Sequence, residues 1–225
     1  MKQTPRLPEL NEMELTVLRR NPLFAGLSPE NLQQMLAAMK AEKTHCERGA
    51  LIQLTGQPVL RFGLVLSGAV QVCVDDIEGN RMIMAEVAPG ASFGESLCFL
   101  QTRESPVYIF AVAETELLRL STDALHAGEA FDPELYRRFT AVLAGKTLAM
   151  NNRIQVLSRL SLRGKVTAYF TELAAEQGSS TIRLPMNRDD TAAYIGANRS
   201  ALSRELARMK EDGLIDYSRN EVRIL

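Results

Sequence analysis

The chain has 225 residues, 46% of them hydrophobic, which suffices for one large domain or two ordinary ones with packed cores. Lys+Arg at 26 against Asp+Glu at 27 leave a formal net charge of -1, so no whole-chain attraction to nucleic acid, membrane or acidic substrate exists and any polyanion contact must be local. Three widely spaced cysteines, Cys46, Cys73 and Cys98, exclude a disulfide framework and a C-x-x-C pair, and point to a reducing, cytoplasmic compartment.

The first twenty residues carry two prolines and several charges where a cleavable signal would need an apolar run, and the chain holds no stretch of 18 apolar residues, so neither export nor membrane spanning is expected. Only His45 and His126 are present, too few for most histidine-based metal hydrolases or cupin-type enzymes, and no metal ligand is assigned. Residues 10–40 carry helical periodicity: Ser28 is placed to cap, Pro29 suits a first turn, and Leu32, Met35, Leu36 and Met39 share one face.

From about residue 42 to 123 the period becomes two, in short runs such as Val70-Gln71-Val72-Cys73-Val74, with glycines at 49, 56, 68, 79, 90 and 94. Regular short strands with glycine corners predict an antiparallel sandwich or roll. Ser67-Gly68, Asp75-Asp76 and Gly79-Asn80 supply turn chemistry.

Asp132-Pro133 opens a long helix in which Tyr136, Thr140, Leu143, Thr147, Met150, Ile154 and Leu157 recur at alternating spacings of four and three. Such a seam fits a parallel two-stranded coiled coil and hence a homodimer; it also fits a long amphipathic helix lying on its own β-domain. Thr140 and Thr147 are polar for a plain zipper and are candidates to face a ligand.

Thr181-Ile182-Arg183-Leu184 reads as a strand. Asn187 then caps a helix ending near Tyr194, Gly196 makes a turn, and Asn198 caps a second helix from Arg199 to Lys210. In that second helix Leu202, Leu206 and Met209 fall on one face, while Arg199, Ser200, Ser203 and Arg204 lie largely off it. Residues 199–210 hold four basic residues and one acidic one, a local charge of +3 that the whole-chain balance conceals. Guanidinium forks suit guanine edges or phosphates, so a DNA-reading helix is expected rather than an ordinary solvated one. An alternating hairpin runs on from Ile215, with Arg219 at its bend; Arg219 and Arg223 are candidates for phosphate contacts.

This order of elements resembles the CRP/FNR family of bacterial transcription regulators. The resemblance rests on Arg48-Gly49-Ala50-Leu51-Ile52 with Gly56, on 62–70, on Pro89-Gly90-Ala91-Ser92-Phe93-Gly94-Glu95, on Arg199-Ser200-Ala201-Leu202-Ser203-Arg204 and on Lys210-Glu211-Asp212-Gly213-Leu214-Ile215. It implies an α+β chain with an N-terminal antiparallel β-roll, a cyclic-nucleotide-binding-like jelly roll, a long dimerisation helix and a C-terminal winged helix–turn–helix. The corresponding divisions are 1–131, 132–160 and 161–225. It further implies a homodimer on a palindromic DNA operator, contact with RNA polymerase in activators, and an effector that reorients the recognition helices. DNA contacts are assigned to Asn198, Arg199, Ser200, Ser203, Arg204 and Arg219. The effector site is assigned to Gly94, Glu95, Ser96, Arg103 and Ser105, with Thr147, Met150 and Asn151 of the seam helix.

Departures from the family pattern limit the effector. Cyclic-AMP-binding members place Arg-Ser on the cyclic phosphate, whereas Glu104 stands where that arginine would fall, and a carboxylate repels phosphate. Cyclic AMP is therefore disfavoured. Iron–sulfur binding needs about four thiolates and is disfavoured with three cysteines. Haem, through a single axial ligand, and a small organic effector stay open, as does regulation without a ligand. Ser200 replaces the glutamate common in the recognition helix, so the usual half-site is not assumed. No catalytic constellation is present, and the rival to a DNA regulator is a ligand-binding module whose C-terminal domain is a protein adaptor.

Overall fold

The computed structural model describes residues 7–75, 77–79, 81–101, 104–126 and 132–225. Of these, residues up to Val74 together with Met84–Lys146 form one compact unit, and Asp75–Ile83 with Thr147–Leu225 form another.

The first unit begins with two capped helices. In α1 (Glu12–Leu18) Asn11 accepts from the Glu14 backbone while the Glu14 carboxylate accepts from that of Asn11, a reciprocal box that satisfies two otherwise orphaned donors. In α2 (Pro29–Ala38) Ser28 caps and proline takes the first turn, as the sequence predicts, and Leu32, Met35, Leu36 and Met39 are all buried. Strands β1 (Glu42–Cys46), β2 (Leu51–Gln53), β3 (Phe62–Ser67), β4 (Val70–Asp75), β5 (Arg81–Val87), β6 (Ser92–Phe93), β7 (Tyr108–Ala111) and β8 (Thr115–Leu120) make two sheets, ordered β1-β8-β3-β6 and β2-β7-β4-β5. Short helices α3 (Glu95–Phe99) and α4 (Asp123–His126) interrupt and succeed them.

Alternation along β3 and β8 sorts side chains between two cores. Val65 and Leu117 join Val70, Val87, Phe93 and Ile109 inside the roll, while Leu64, Leu66, Leu118 and Leu120 face the helices. The inner core explains one glycine: a Cβ on Gly63 would lie 2.1 Å from the Phe93 ring, so that aromatic fills the space a side chain would need.

Gly68 carries a stricter demand at the β3–β4 corner. Its φ is +77° and a Cβ there would meet the Glu114 carbonyl oxygen at 2.2 Å and the Thr115 Cα at 2.8 Å, both backbone atoms that cannot step aside. Gly79 shares the positive φ, +81°, with nothing within 4 Å. Gly68→Ala is expected to destabilise the roll by about 3 kcal/mol or more, against about 1 kcal/mol for Gly79→Ala. Urea unfolding of the two variants checks this, and equal midpoints would show that the close approach is not what costs stability.

Helix α5 (Pro133–Leu157) comes next; Asp132 accepts from the Glu134 and Leu135 backbones at its start. It carries two stripes one residue out of phase. In the first unit Leu135, Phe139 and Val142 are buried in the helix-facing core, with Phe139 6.0 Å from Phe62 and 5.4 Å from Phe99 between ring centroids. The predicted seam runs beside that stripe: Tyr136, Met150 and Ile154 are 40%, 59% and 56% exposed, Thr140 and Thr147 are exposed as well, while Leu143 and Leu157 are half-buried and Leu143 packs on the helix-facing core. The reading of α5 as an amphipathic helix lying on its own β-domain holds for the stripe of Leu135, Phe139 and Val142.

The second unit contains α6 (Leu162–Gln177), β9 (Thr181–Arg183), α7 (Arg188–Tyr194), α8 (Arg199–Glu211), β10 (Ile215–Ser218) and β11 (Glu221–Ile224). The strands form an antiparallel sheet ordered β10-β11-β9. Val166, Phe170, Ile182, Ile195, Leu202, Leu206, Ile215 and Val222 share its core. This is a winged helix–turn–helix, with Gly196 at φ +65° in the turn and Arg219 at φ +52° at the tip of the wing.

Candidate nucleic-acid interface and effector site

Both helices of the helix–turn–helix start on asparagine caps. Asn187 Oδ1 accepts from the Asp190 backbone at 2.9 Å, and Asn198 Oδ1 accepts from the Ala201 backbone at 2.8 Å. Ser200 Oγ donates to Asn198 Oδ1 at 2.9 Å, so these two expected DNA residues first build the helix end. Leu202, Leu206 and Met209 are buried, as their spacing predicts, and turn Ser200, Ser203 and Arg204 to solvent.

The charges on α8 are sorted by partners. Arg163 of α6 reaches Glu205 at 2.6 Å and Asp212 at 2.7 Å, neutralising a mostly buried carboxylate and an exposed one. Lys210 pairs with Asp216 at 2.6 Å, which raises its pKa above the usual lysine range. Arg199 stands 3.3 Å from Asp189 in an exposed pair, a contact of about 0–1 kcal/mol that a phosphate or base can replace. Arg204 is exposed and has no ion-pair partner among the described residues. At the wing, the Arg219 carbonyl accepts from Arg188 at 3.2 Å, and the Arg188 guanidinium lies 5.4 Å from the Tyr217 ring centroid. Burial lowers the Arg188 pKa from its ordinary value. Arg163 and Arg188 are not among the residues that motif and spacing single out; the only signal for Arg188 is its place directly after the Asn187 cap.

The predicted effector residues fall in both units. Gly94, at φ +82°, precedes α3, and Glu95 in its first turn is 2% exposed. Lys146 of α5 reaches Glu95 Oε2 at 2.9 Å and also donates to the Ser92 carbonyl. Glu95 Oε1 is buried and has no hydrogen-bond partner among the described residues. Ser105 is buried, with its Oγ donating to the Val107 carbonyl at 2.7 Å, so its hydroxyl serves the local turn. Glu104 is exposed, and Arg103 lies outside the described residues. Thr147, Met150 and Asn151 are exposed on the part of α5 that belongs to the second unit. Lys146 escapes a search for apolar periodicity because it is polar, although it continues the buried spacing 135, 139, 142 by four residues.

The cyclic nucleotide that the resemblance implies would need a hydroxyl partner and a phosphate clamp here. A buried carboxylate oxygen awaiting a donor fits a hydroxyl, but for the phosphate the described 95–107 segment offers Glu104 and a committed Ser105, with Lys146 already on Glu95. Among the described residues of this segment no cationic side chain is free to clamp a phosphate.

Both histidines and Cys98 have partners elsewhere. His45 Nδ1 faces Glu116 at 2.8 Å and Nε2 faces Glu114 at 3.1 Å; the Glu116 hydrogen bond, with Glu114, raises the imidazole pKa above 6.5. His126 stacks on Phe99 at 4.9 Å between centroids. Cys73 and Cys98 are buried, and Cys98 Sγ lies 3.4 Å from Thr122 Oγ1. Among the described residues no group of three or more potential metal ligands is close enough to hold an ion, and no helix is long and apolar enough to cross a membrane.

Comparison with known proteins agrees with this geometry. Residues 43–127 match the cyclic nucleotide-binding domain, and residues 164–225 match the Crp-like helix-turn-helix domain. The probable transcriptional regulator flp of Lacticaseibacillus casei is 30% identical over 204 residues, covering 91% of each chain. The chain belongs to the CRP/FNR family. It is a transcription regulator with a cyclic-nucleotide-binding-type domain and a DNA-binding helix–turn–helix. The CRP/FNR relatives include the cyclic AMP receptor protein of Thermus thermophilus, 28% identical over 198 residues, with 88% of this chain and 89% of that one aligned. With the nitrogen fixation regulation protein FixK of Azorhizobium caulinodans the identity is 29% over 161 residues, 68% of this chain and 62% of that one. The same fold is seen in FixK2 from Bradyrhizobium japonicum, at a TM-score of 0.66 and 21% identity over 82% of this chain and 92% of that one. The c-di-GMP responsive regulator CLP of Xanthomonas campestris shares it at 0.70 and 17%, over 88% and 99%.

Proposed function

We propose that the protein is a homodimeric, sequence-specific regulator that reads a palindromic operator and whose DNA affinity is set by a small effector held at Glu95. The observation that carries the dimer is the phase of α5: one stripe is buried in its own chain, while Tyr136, Met150 and Ile154 of the other stay exposed at heptad spacing. Two such stripes facing each other bring two helix–turn–helix modules to one duplex, where half-sites about one helical turn apart are expected. Arg199, Ser203 and Arg204 supply the readout, with Ser200 and Asn198 at the helix end and Arg219 on the backbone. RNA polymerase is the further partner of an activator of this type, and a chain working on bacterial chromosomal DNA acts in the cytoplasm.

For the effector, the buried Glu95 Oε1 supports a ligand with a hydroxyl or amine donor. Lys146, on the far side of the same carboxylate, immediately precedes Thr147, so a ligand that engages Glu95 acts on α5 at the point where the helix passes from one unit into the other. A ligand shifts the DNA equilibrium only by its differential affinity for the two states.

Selection of sites from a random duplex library with purified protein is the test. An enriched inverted repeat supports the reading; no enrichment at low salt, or binding without a steep salt dependence, favours the adaptor alternative. The dimer is checked separately: Ile154→Lys is expected to turn a wild-type dimer into a folded monomer in sedimentation equilibrium, and a dimer unaffected by the substitution would remove the seam from the interface.

A further inference from the structure

Helix α7, which packs against the recognition helix, is held at both ends by arginines from outside the helix–turn–helix. Near its start, Arg81 at the head of β5 reaches Asp190 Oδ1 at 2.8 Å, while the other oxygen of that carboxylate accepts from Asn187 Nδ2 at 2.7 Å. At its end, Arg153 of α5, itself 7% exposed, donates to the Tyr194 carbonyl at 3.1 Å and to the Ile83 carbonyl of β5, with its guanidinium carbon 4.3 Å from the centre of the Tyr194 ring. Burial raises the Tyr194 pKa, keeping that ring neutral under the cation. Tyr194 also packs on Tyr169 of α6 at 5.2 Å between centroids.

The two arginines act on one short rigid element. From Tyr194 the chain turns into α8 within four residues, and the turn is fixed by Ala197 N donating to the Ala192 carbonyl at 2.9 Å. Ala192 and Ile195 share a core with Leu202 and Leu206 of α8. Where α7 lies therefore decides where the exposed face of α8 points. Both grips run to β5, at Arg81 and Ile83, two residues apart on a strand that continues to Val87 in the first unit.

We infer that Arg81 and Arg153 are positioning residues for DNA recognition, fastening α7 to the β5 strand and α5 so that α8 is presented in one orientation. The inference rests on the DNA-reading role of α8 and adds a requirement to it: specificity depends on residues that do not touch the duplex. Both fastenings lie within the second unit, which holds Arg81 and Ile83 of β5, Arg153 of α5 and the whole of α7.

The test uses the full-length chain and compares affinity for the selected operator with that for random duplex, by fluorescence anisotropy over a range of salt. Arg81→Asp and Arg153→Met are each expected to lower the operator-to-random ratio roughly tenfold, a typical coupling size. Their salt slope stays that of wild type, because neither side chain neutralises a phosphate. The charge-swapped double variant Arg81→Asp, Asp190→Arg is expected to regain most of the ratio, which loss of a direct DNA contact would not do. Arg81 is exposed enough that its variant folds even if Arg153→Met does not, and circular dichroism reports which has folded. An unchanged ratio in folded Arg81→Asp, a reduced salt slope, or a swap that fails to restore the ratio overturns the inference alone. Wild-type protein that selects no operator overturns the DNA reading and this inference together.

Discussion

Arg204→Ala is expected to weaken operator binding by about 1–3 kcal/mol, roughly 5- to 150-fold, and to relax the preference at one base pair of each half-site. The expectation comes from how α8 is built. Leu202 and Leu206 are buried on one side, Arg163 pairs with Glu205 and Asp212, and Arg204 is left in solvent with no ion pair among the described residues. A guanidinium so placed has no internal ion pair to give up before it forks onto a guanine edge. Arg199→Ala should cost less, since Arg199 must first leave Asp189. Thermal stability of both variants should stay within about 0.5 kcal/mol of wild type, as for other exposed sites, so the loss is one of recognition. Repeating the site selection with Arg204→Ala checks the assignment, and an identical consensus sinks it.

Lys146→Met is expected to destabilise the protein by about 3 kcal/mol, the lower end of the cost of removing one partner from a buried pair. Glu95 is 2% exposed and its second oxygen already lacks a partner among the described residues, so without Lys146 the carboxylate would lose the ammonium that balances it while staying out of water. Lys146 is itself 41% exposed, which is why the lower end applies. For a chain of this length that corresponds to a fall in Tm of roughly 6–12 °C. Adding Glu95→Leu should recover most of the loss, because replacing both members of a buried pair by apolar groups is close to neutral. Thermal unfolding at fixed protomer concentration checks both steps; a Lys146→Met protein that melts with the wild type would mean that the pair contributes nothing.

Much of this architecture is legible in the amino-acid sequence, and the reasons are physical. Ser28, Asn187 and Asn198 mark helix starts because a short polar side chain before an apolar period has few other uses, and each of the three caps as expected. The change from helical period to short glycine-punctuated runs near residue 42 locates the start of the roll, whose first strand begins at Glu42 although most of it is exposed. Pairings that depend on tertiary approach stay hidden. No spacing rule joins Arg163 to Glu205, Lys146 to Glu95 or Arg81 to Asp190, which stand 42, 51 and 109 residues apart. Apart from Thr147, singled out also by its polar place in the seam, the effector residues rest on a resemblance, and Ser105 shows the limit of that, its hydroxyl being occupied within its own turn.

The out-of-phase stripes of α5 bear on how stability itself should be measured. A helix of 25 residues is a rod about 37 Å long, and adjacent residues point about 100° apart around it. The stripe anchored in its own chain therefore presets the direction of the open one, so a partner helix would meet a surface already ordered rather than one that must be folded on contact, and most of the entropic cost of ordering that face is met within the protomer. The same arrangement leaves Tyr136, Met150 and Ile154 as wetted apolar area in the single protomer. With the proposed dimer, melting temperatures would be functions of concentration, and dilution, rather than heat alone, would turn this surface from an asset into a site of nonspecific adhesion.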